Sequence, residues 1–325
     1  MKKKATFLNV HYIKGSHDLP SISLIAPAYN EGKTIITNVT SLLSIQYPFY
    51  ELIIVNDGSS DDSMSQLINV FNLIEIPFKK NTTGISCEEI KTIYKSSIPK
   101  YVNLTVVDKL NGGRSDAINC GIIFAKSDLV LCTDADCIIE QDALLKMVRP
   151  YIQATEREVI ASGGIIGLAN DSVIKNGILK EVKMPKKMLP RIQIVEYIRA
   201  FLLGRMAWGH INGLMLVSGA FGLYSRHRLL EVGGLDKDTI GEDLELCIRL
   251  RKHMEDLKEP YKGLFIFLKF YVGQRLLLIL KFTFHSEIVG RVAYGKQCIN
   301  IESYFSIKNM VIWGSSFFRI GFSLN

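Results

Sequence analysis

Carboxylates and an arginine recur at short polar interruptions between apolar runs. Asp134-Ala135-Asp136 follows the run Leu129–Cys132. In an extended turn, alternate carboxylates can reach one point and hold a hard divalent cation through oxygen. Asp57 sits in Val55-Asn56-Asp57-Gly58-Ser59-Ser60-Asp61, and Arg114 follows Gly112-Gly113, where a guanidinium can pair with an anion at a helix start. Glu242 and Asp243 follow Gly241 and open the helical run to His253, a place that favours acids. Each admits a plainer reading: a polar strand-end turn, an Asp-Gly turn with a helix cap, a helix-opening turn, an acidic helix start. Their order along the chain is what a plainer reading leaves unexplained.

The elements that must position these groups are legible as apolar runs. Ile22–Ala26 reads as a strand closed by Pro27, with a helix starting near Glu31. Leu52–Val55 is a continuous apolar strand, the signature of burial on both faces, and Ser63–Phe71 a helix. Residues 72–100 are polar and read as an irregular insertion. Leu104–Val107, a Gly-opened helix after Asn111, and Leu129–Cys132 continue the alternation. This predicts an α/β, Rossmann-like doubly wound sheet with ligands at the carboxyl ends of its strands, where all the polar clusters fall.

The chain has 325 residues, 48% of them apolar and 22% charged, enough for a full core and unlike a disordered chain. Its net charge of +7 comes without a long basic run, so no nucleic-acid partner is expected; anionic diphosphates or a membrane surface suit it equally. Six scattered cysteines without CxxC spacing read as reduced intracellular thiols. The basic N-terminus lacks the apolar segment of a signal peptide. Phe201–Leu223 is broken by Arg205, His210 and Asn212, and Gly263–Phe284 by Lys269, Gln274, Arg275 and Lys281, so neither matches the ~18 apolar residues of a spanning helix. The expected location is cytoplasmic. Lys180, Lys183, Lys186, Lys187 and Arg191 read as a solvated loop, with phospholipid contact as the other reading. His210 reads as packed or solvent-facing, and Leu202, Leu203, Met206 and Leu214 as packing residues.

The ordered segments Pro27–Glu31 (PAYNE), Val55–Asp61, Asn111–Asn119 (NGGRSDAIN), Asp134–Asp136, Ser218–Arg226 (SGAFGLYSR) and Gly241–Leu246 (GEDLEL) resemble family 2 glycosyltransferases of the GT-A fold. The resemblance is to the branch with poly-N-acetylglucosamine, cellulose, chitin and hyaluronan synthases, and it covers residues 20–262. It implies a single catalytic domain over 21–262, after an N-terminal tail of residues 1–20, and an inverting transfer from a UDP-sugar to a polysaccharide or glycan acceptor. The membrane surface is a partner of the intact family member, at the inner face of the plasma membrane.

The resemblance also implies roles. Pro27, Ala28, Tyr29, Asn30, Glu31 and Asp57 would hold uracil and ribose, with Arg114 nearby where relatives usually carry lysine. Asp134 would contact the nucleotide and, with Asp136, a Mg²⁺ or Mn²⁺ on the diphosphate. Asp243, beside Glu242, would be the general base for the acceptor hydroxyl. Ser218, Gly219, Ala220 and Phe221 would line the acceptor side. Direct displacement requires such a base opposite the leaving group, and a cation to neutralise the departing diphosphate.

Two other readings compete. A nucleotidyltransferase would need a Gly-rich, basic loop after the first strand, which PAYNEGK does not supply. A non-catalytic nucleotide-sugar-binding remnant is suggested by residues 263–325, where the family pattern stops. Read one base out of frame with permitted synonymous codons, Tyr271–Arg275 yields Cys-Trp-Thr-Glu and His285–Gly290 yields Gln-Arg-Asn-Arg-Trp, both motifs of the family. This predicts a one-base frameshift near Lys262 and a product that keeps at most nucleotide binding.

Overall fold

The computed structural model describes residues 19–78, 83–135, 137–154, 156–169, 171–175, 178–239, 241–265 and 272–274. The chain divides into two compact units, Met1–Arg275 and Leu276–Asn325, and everything described belongs to the first.

The centre of the fold is a parallel sheet. Strands β1 (Ile22–Ala28), β2 (Tyr50–Asp57), β5 (Leu104–Lys109) and β6 (Leu129–Thr133) lie in the order β6-β1-β2-β5, each pair parallel. Ile22, Leu24, Ile25, Leu52, Ile54, Leu104, Val106 and Leu131 are buried, as uninterrupted apolar strands covered on both faces should be. Helices α1 (Ile35–Leu42), α2 (Ser63–Phe71) and α3 (Arg114–Phe124) connect these strands. The strand order reverses between β1 and β6, so their carboxyl ends open a crevice suited to a ligand. The doubly wound sheet expected from the sequence is present.

Several expectations needed correction. Residues 72–100 are not irregular: β3 (Leu73–Ile76) and β4 (Ile90–Ser96) form an antiparallel pair that extends the sheet beyond β5. Pro27 lies inside β1 instead of closing it. Ile22 donates to Phe49 on the β2 side, so odd positions of β1 face β6, and Pro27 falls past Ile25–Cys132, the last pair of that ladder. A missing donor there interrupts nothing. The first helix begins at Ile35, not Glu31, because Glu31 closes a turn by accepting the backbone N–H groups of Thr34 and Ile35.

On the other side of β6 the sheet changes direction. β11 (Phe221–Ser225) runs antiparallel to β6 and to β7 (Glu158–Gly163), and β12 (Tyr261–Phe265) pairs in parallel with β7. β12 therefore crosses the 262/263 boundary expected from the sequence. Between β6 and β11 run short helices α4 (Ala143–Met147) and α5 (Arg149–Gln153), strand β8 (Ile166–Leu168), and a hairpin of β9 (Val173–Lys175) and β10 (Ile178–Glu181). Helix α6 (Met188–Tyr197), a π-helical segment Ile198–Arg205 and α7 (Met206–His210) follow. The lysines expected in a loop thus lie on β10, at the foot of α6 and in the link between them. Leu214 is buried as expected, whereas Leu203 is exposed; the side chains of Leu202, Met206 and His210 lie outside the description. After β11 come α8 (Arg226–Glu231) and the long α9 (Glu242–Leu257). Val272–Gln274 (β13) pairs with β8. The rest of 266–325, and with it most of the two segments re-read out of frame, lies outside the described residues.

Candidate active site

The carboxyl ends of β1 and β2 are sewn together by short polar side chains. Asn30, with a left-handed φ of 55°, accepts at Oδ1 from the backbone N–H of Ser60 (2.8 Å) and Asp61 (3.3 Å). Its own N–H donates to Ser59 Oγ at 2.9 Å, and Gly32 N–H donates to Asp61 Oδ2 at 2.9 Å. Tyr29 stands beside this clamp, 53% exposed. A flat, exposed aromatic at a parallel strand end is a platform for a planar ring. Ala28, expected to touch the nucleotide, is buried.

Asp57 is placed differently from its expected role. Its carboxylate is buried and takes hydrogen bonds from Lys109 Nζ (2.6 Å), Gly112 N (3.0 Å), Gly113 N (2.8 Å) and Asn111 Nδ2 (3.2 Å). Gly58 (φ 69°) follows, and a Cβ there would come within 2.6 Å of Asn111 N. Asp57 therefore fixes the Asn111–Arg114 turn from beneath and spends its acceptor oxygens on the protein. Lys109 is fully buried and binds Asp116 as well, at 2.6 Å. Asp116 also receives Lys237 (3.0 Å) and the N–H of Glu88. Burial opposes the charge of Asp116, but the bonds from Lys109, Glu88 and Lys237 hold its carboxyl below the usual range.

Beyond that turn, the open edge is organised by Arg114. Its Nε donates to Asp134 Oδ1 at 2.9 Å and its Nη1 to Glu242 Oε1 at 2.8 Å, with Asp243 Oδ1 3.9 Å away. Its Nη2 is buried and has no hydrogen-bond partner among the described residues. Thus the residue just past β6, the first turn of α3 and the start of α9 converge, although Glu242 lies 128 positions from Arg114. Gly219 N–H donates to Asp243 Oδ2 at 2.8 Å, and a Cβ at Gly219 would meet that oxygen at 2.4 Å and Arg114 Nη2 at 2.8 Å. Glycine is needed there because the Asp243 carboxylate and the Arg114 guanidinium both close on its backbone. Asp243 keeps 26% of its side chain exposed. Burial raises its pKa to about 6, against the pull of Arg114 and with the push of Glu242. A carboxylate so tuned can take a proton near neutral pH.

The structure brings Arg114, Asp134, Glu242, Asp243 and Gly219 together. The expectation that Ala220 and Phe221 line the acceptor side is corrected. Phe221 is 0% exposed because it opens β11, an interior strand between β6 and β7 whose residues face two covered sides, and Ala220 is buried in the turn just before it. Ser218 is half-buried beside them. Sequence reasoning missed Lys109 and Arg205. The Arg205 guanidinium lies 4.2 Å over the Phe201 ring; burial lowers its pKa, and Asp243 is the leading charge that raises it.

Magnesium or manganese is implied by the resemblance, and the residues fit it. Three carboxylates face one guanidinium, an excess of negative charge that a dication would neutralise. Among the described residues no three His, Cys, Asp or Glu side chains form a cage; a cation held between one or two carboxylates and a ligand's phosphates requires none. Asp136 lies outside the described residues.

Comparison with known proteins follows the same lines. The poly-beta-1,6-N-acetyl-D-glucosamine synthase of Staphylococcus epidermidis is 27% identical over 261 residues, 80% of this chain and 52% of that protein. The synthase of the same name from Staphylococcus aureus (strain COL) is 26% identical over 249 residues, 76% of this chain and 49% of that protein. The chain spans about half the length of these curated relatives. The mannosyltransferase PcManGT from Pyrobaculum calidifontis, solved with GDP-Man and Mn²⁺, superposes with a TM-score of 0.50 at 17% identity, over 77% of this chain and 55% of that one. At that identity the likeness speaks for the fold. Residues 20–256 match the profile described as Glycosyltransferase like family 2, and with the shared GT-A architecture and this carboxylate-lined crevice, the chain belongs to that family.

Proposed function

We propose that this chain carries the donor and catalytic half of an inverting glycosyltransferase, which moves a sugar from a UDP-sugar to a growing polysaccharide or glycan acceptor at the cytoplasmic face of a membrane. The observation that carries the reading is Asp243: a partly exposed carboxylate, one oxygen fixed by Gly219 N–H and its pKa raised to about 6. It takes the proton from the acceptor hydroxyl as that oxygen attacks the anomeric carbon from the face opposite the diphosphate. One attack without an enzyme nucleophile gives an inverted product.

Tyr29, Asn30 and Glu31 meet the nucleoside at the β1–β2 edge, with Asp57 holding the turn that carries Arg114. Arg114 orients Asp134 and Glu242, and its buried Nη2 has no partner among the described residues. A Mg²⁺ or Mn²⁺ held by Asp134 and Asp136 would supply Lewis-acid neutralisation of the departing diphosphate. The relatives are named for an N-acetylglucosamine polymer, so UDP-N-acetylglucosamine is the first donor to test.

The experiment is product analysis across a panel of UDP-sugars with an oligosaccharide acceptor, alongside calorimetry of UDP with and without Mn²⁺. Inverted product abolished in Asp243→Asn supports the enzyme. Mn²⁺-dependent UDP binding without any transfer favours the non-catalytic reading, in which the frameshift near Lys262 has removed the acceptor half; the gene sequence checks that directly. Equal UDP affinity of Asp136→Ala with and without Mn²⁺ removes the metal role.

A further inference from the structure

Two thiols lie in contact outside the catalytic crevice. The connection from β3 to β4 runs along α3, the helix whose first turn carries Arg114. Glu88 N–H donates to both Asp116 carboxylate oxygens at 3.1 Å, and a Cβ on Gly112 would meet the Glu88 Cγ at 2.7 Å. Ile85 is buried beside Asn119: a Cβ on Gly234 would meet Asn119 Oδ1 at 2.4 Å and Ile85 Cδ1 at 3.2 Å. Residues 85–88 therefore follow the helix from Asn119 back to Asp116. Cys120 lies one turn beyond Asp116 and so on the same face. Cys87, between Ile85 and Glu88, meets it there, and the two thiols share a hydrogen bond.

The two sulfurs differ as a reactive pair should. Among the described cysteines Cys87 is half-buried, whereas Cys120, Cys132, Cys137 and Cys247 are buried. Burial pushes Cys132 and Cys247 up to about 12, which keeps them as unreactive thiols. The bond with Cys120 holds the Cys87 thiol below its ordinary value, opposed by burial and Asp116 and helped by Lys109 and Lys237. Cys120 is held up by that same bond and by burial. One thiol is reachable and the readier to ionise, and the second stands in contact with it, the arrangement of an attacking cysteine and a resolving one.

From this contact we infer that Cys87 and Cys120 are a redox pair, which a peroxide closes to a disulfide between the β3–β4 connection and α3. Cys87 attacks as the thiolate on one peroxide oxygen; the O–O bond breaks, hydroxide leaves, and Cys87 becomes a sulfenic acid. The Cys120 sulfur then attacks the Cys87 sulfur. The S–S bond forms as the S–O bond breaks, and the departing hydroxide takes the Cys120 proton and leaves as water. Two electrons pass from sulfur to peroxide, and an excess of a dithiol reductant reverses the change. In reducing surroundings such a bond is transient and responsive, not structural. It would tie residue 87 beside Asp116, in the cluster of Lys109 and Asp57 on which the Arg114 turn rests. The inference does not depend on which donor or acceptor the crevice takes.

The test is treatment of the full chain with hydrogen peroxide, with free thiols counted in denaturant before and after. Two of the six thiols should disappear and return with dithiothreitol. Trypsin cuts after Lys80, Lys91, Arg114 and Lys126, so mass spectrometry should find residues 81–91 joined to residues 115–126 before reduction and separate after it. This readout uses the parent chain, so the folding of a variant does not enter it. Cys87→Ser should keep all its remaining thiols under the same treatment. Six thiols that survive a large excess of peroxide would overturn the inference. So would an oxidised Cys87 beside an unmodified 115–126 peptide, which would make it a solitary reactive thiol. A bond that joins two chains or other cysteines, or thiol loss in Cys87→Ser equal to the parent's, would place the chemistry elsewhere and overturn it as well.

Discussion

Lys109 and Arg114 stand at the two ends of one turn, each surrounded by carboxylates, and the protein treats them in opposite ways. Lys109 is fully buried between Asp57 and Asp116, with Lys237 on Asp116, so two positive charges meet two negative ones. Arg114 stays 30% exposed against Asp134, Glu242 and Asp243, one positive charge against three negative, with its Nη2 left without a partner among the described residues. The balanced cluster is finished without a ligand. The unbalanced one is not, and its surplus charge and unused donor mark the place where a ligand would complete it. Charge balance and hydrogen-bond satisfaction separate scaffold from site more clearly than residue type, since both clusters consist of carboxylates and basic side chains.

The largest expected effect tests the unbalanced side. Asp243→Asn should lower turnover by ~10²–10⁴-fold while UDP-sugar affinity stays nearly unchanged, because only the proton acceptor is lost. Steady-state kinetics with calorimetry check it; full turnover in the variant would remove Asp243 from the base role. On the balanced side, Lys109→Met should cost about 3–5 kcal/mol of folding stability by leaving Asp57 and Asp116 buried without their cation. Arg114→Met should cost less, because its carboxylates retain solvent. Chemical denaturation of the two variants reads the contrast, and equal losses would break it.

A third measurement uses pH. Asp243 has its pKa raised from 3.8 to about 6, so between these values the folded state binds more protons than the unfolded one. Stability should therefore fall as pH rises through that window, by up to about 3 kcal/mol, and level off above it. Turnover moves the other way and rises as the base deprotonates. Asp243→Asn should flatten the stability slope and gain stability above pH ~6. A slope of the same size in the variant would assign the effect to other groups.

Much of the parallel core could be read from the chain because its strands are unbroken apolar runs, and Ser63–Phe71 has the bounds read from its sequence. Strand ends were harder: Asn56, Asp57, Asp108 and Lys109 continue β2 and β5, paired across the ladder although they are polar. The pair β3 and β4 was missed because charged residues interrupt their apolar pattern: Glu75 on the edge strand β3, where a charge blunts the edge, and Lys91 and Lys95 on β4 beside it. The acidic residues of the crevice were visible through their positions after strands. Lys109 was not, since a lysine after an aspartate carries no sign of burial until two chain segments close over it. Ala220 and Phe221 look surface-like beside Ser218 and Gly219, yet the strand begins within that motif.

The smallest effect concerns Asn30, which belongs to neither cluster but fixes the distance between the β1 and β2 loops. Its side-chain oxygen satisfies the N–H groups of Ser60 and Asp61, and its backbone holds a left-handed conformation. Two terms can be separated by two variants. Asn30→Gly removes the hydrogen bonds but keeps the backbone conformation accessible, and should cost about 1 kcal/mol. Asn30→Ala loses the same bonds and also forces a Cβ into the left-handed region, adding about 1 kcal/mol. Both should weaken UDP affinity, because the Ser59–Asp61 loop beside Tyr29 loses its anchor. If Ala and Gly prove equal in stability, the backbone carries no strain and the clamp is the side chain alone. If both bind UDP as the parent does, the β1–β2 edge is not where the nucleoside sits, and the donor must be placed wholly on the Arg114 side.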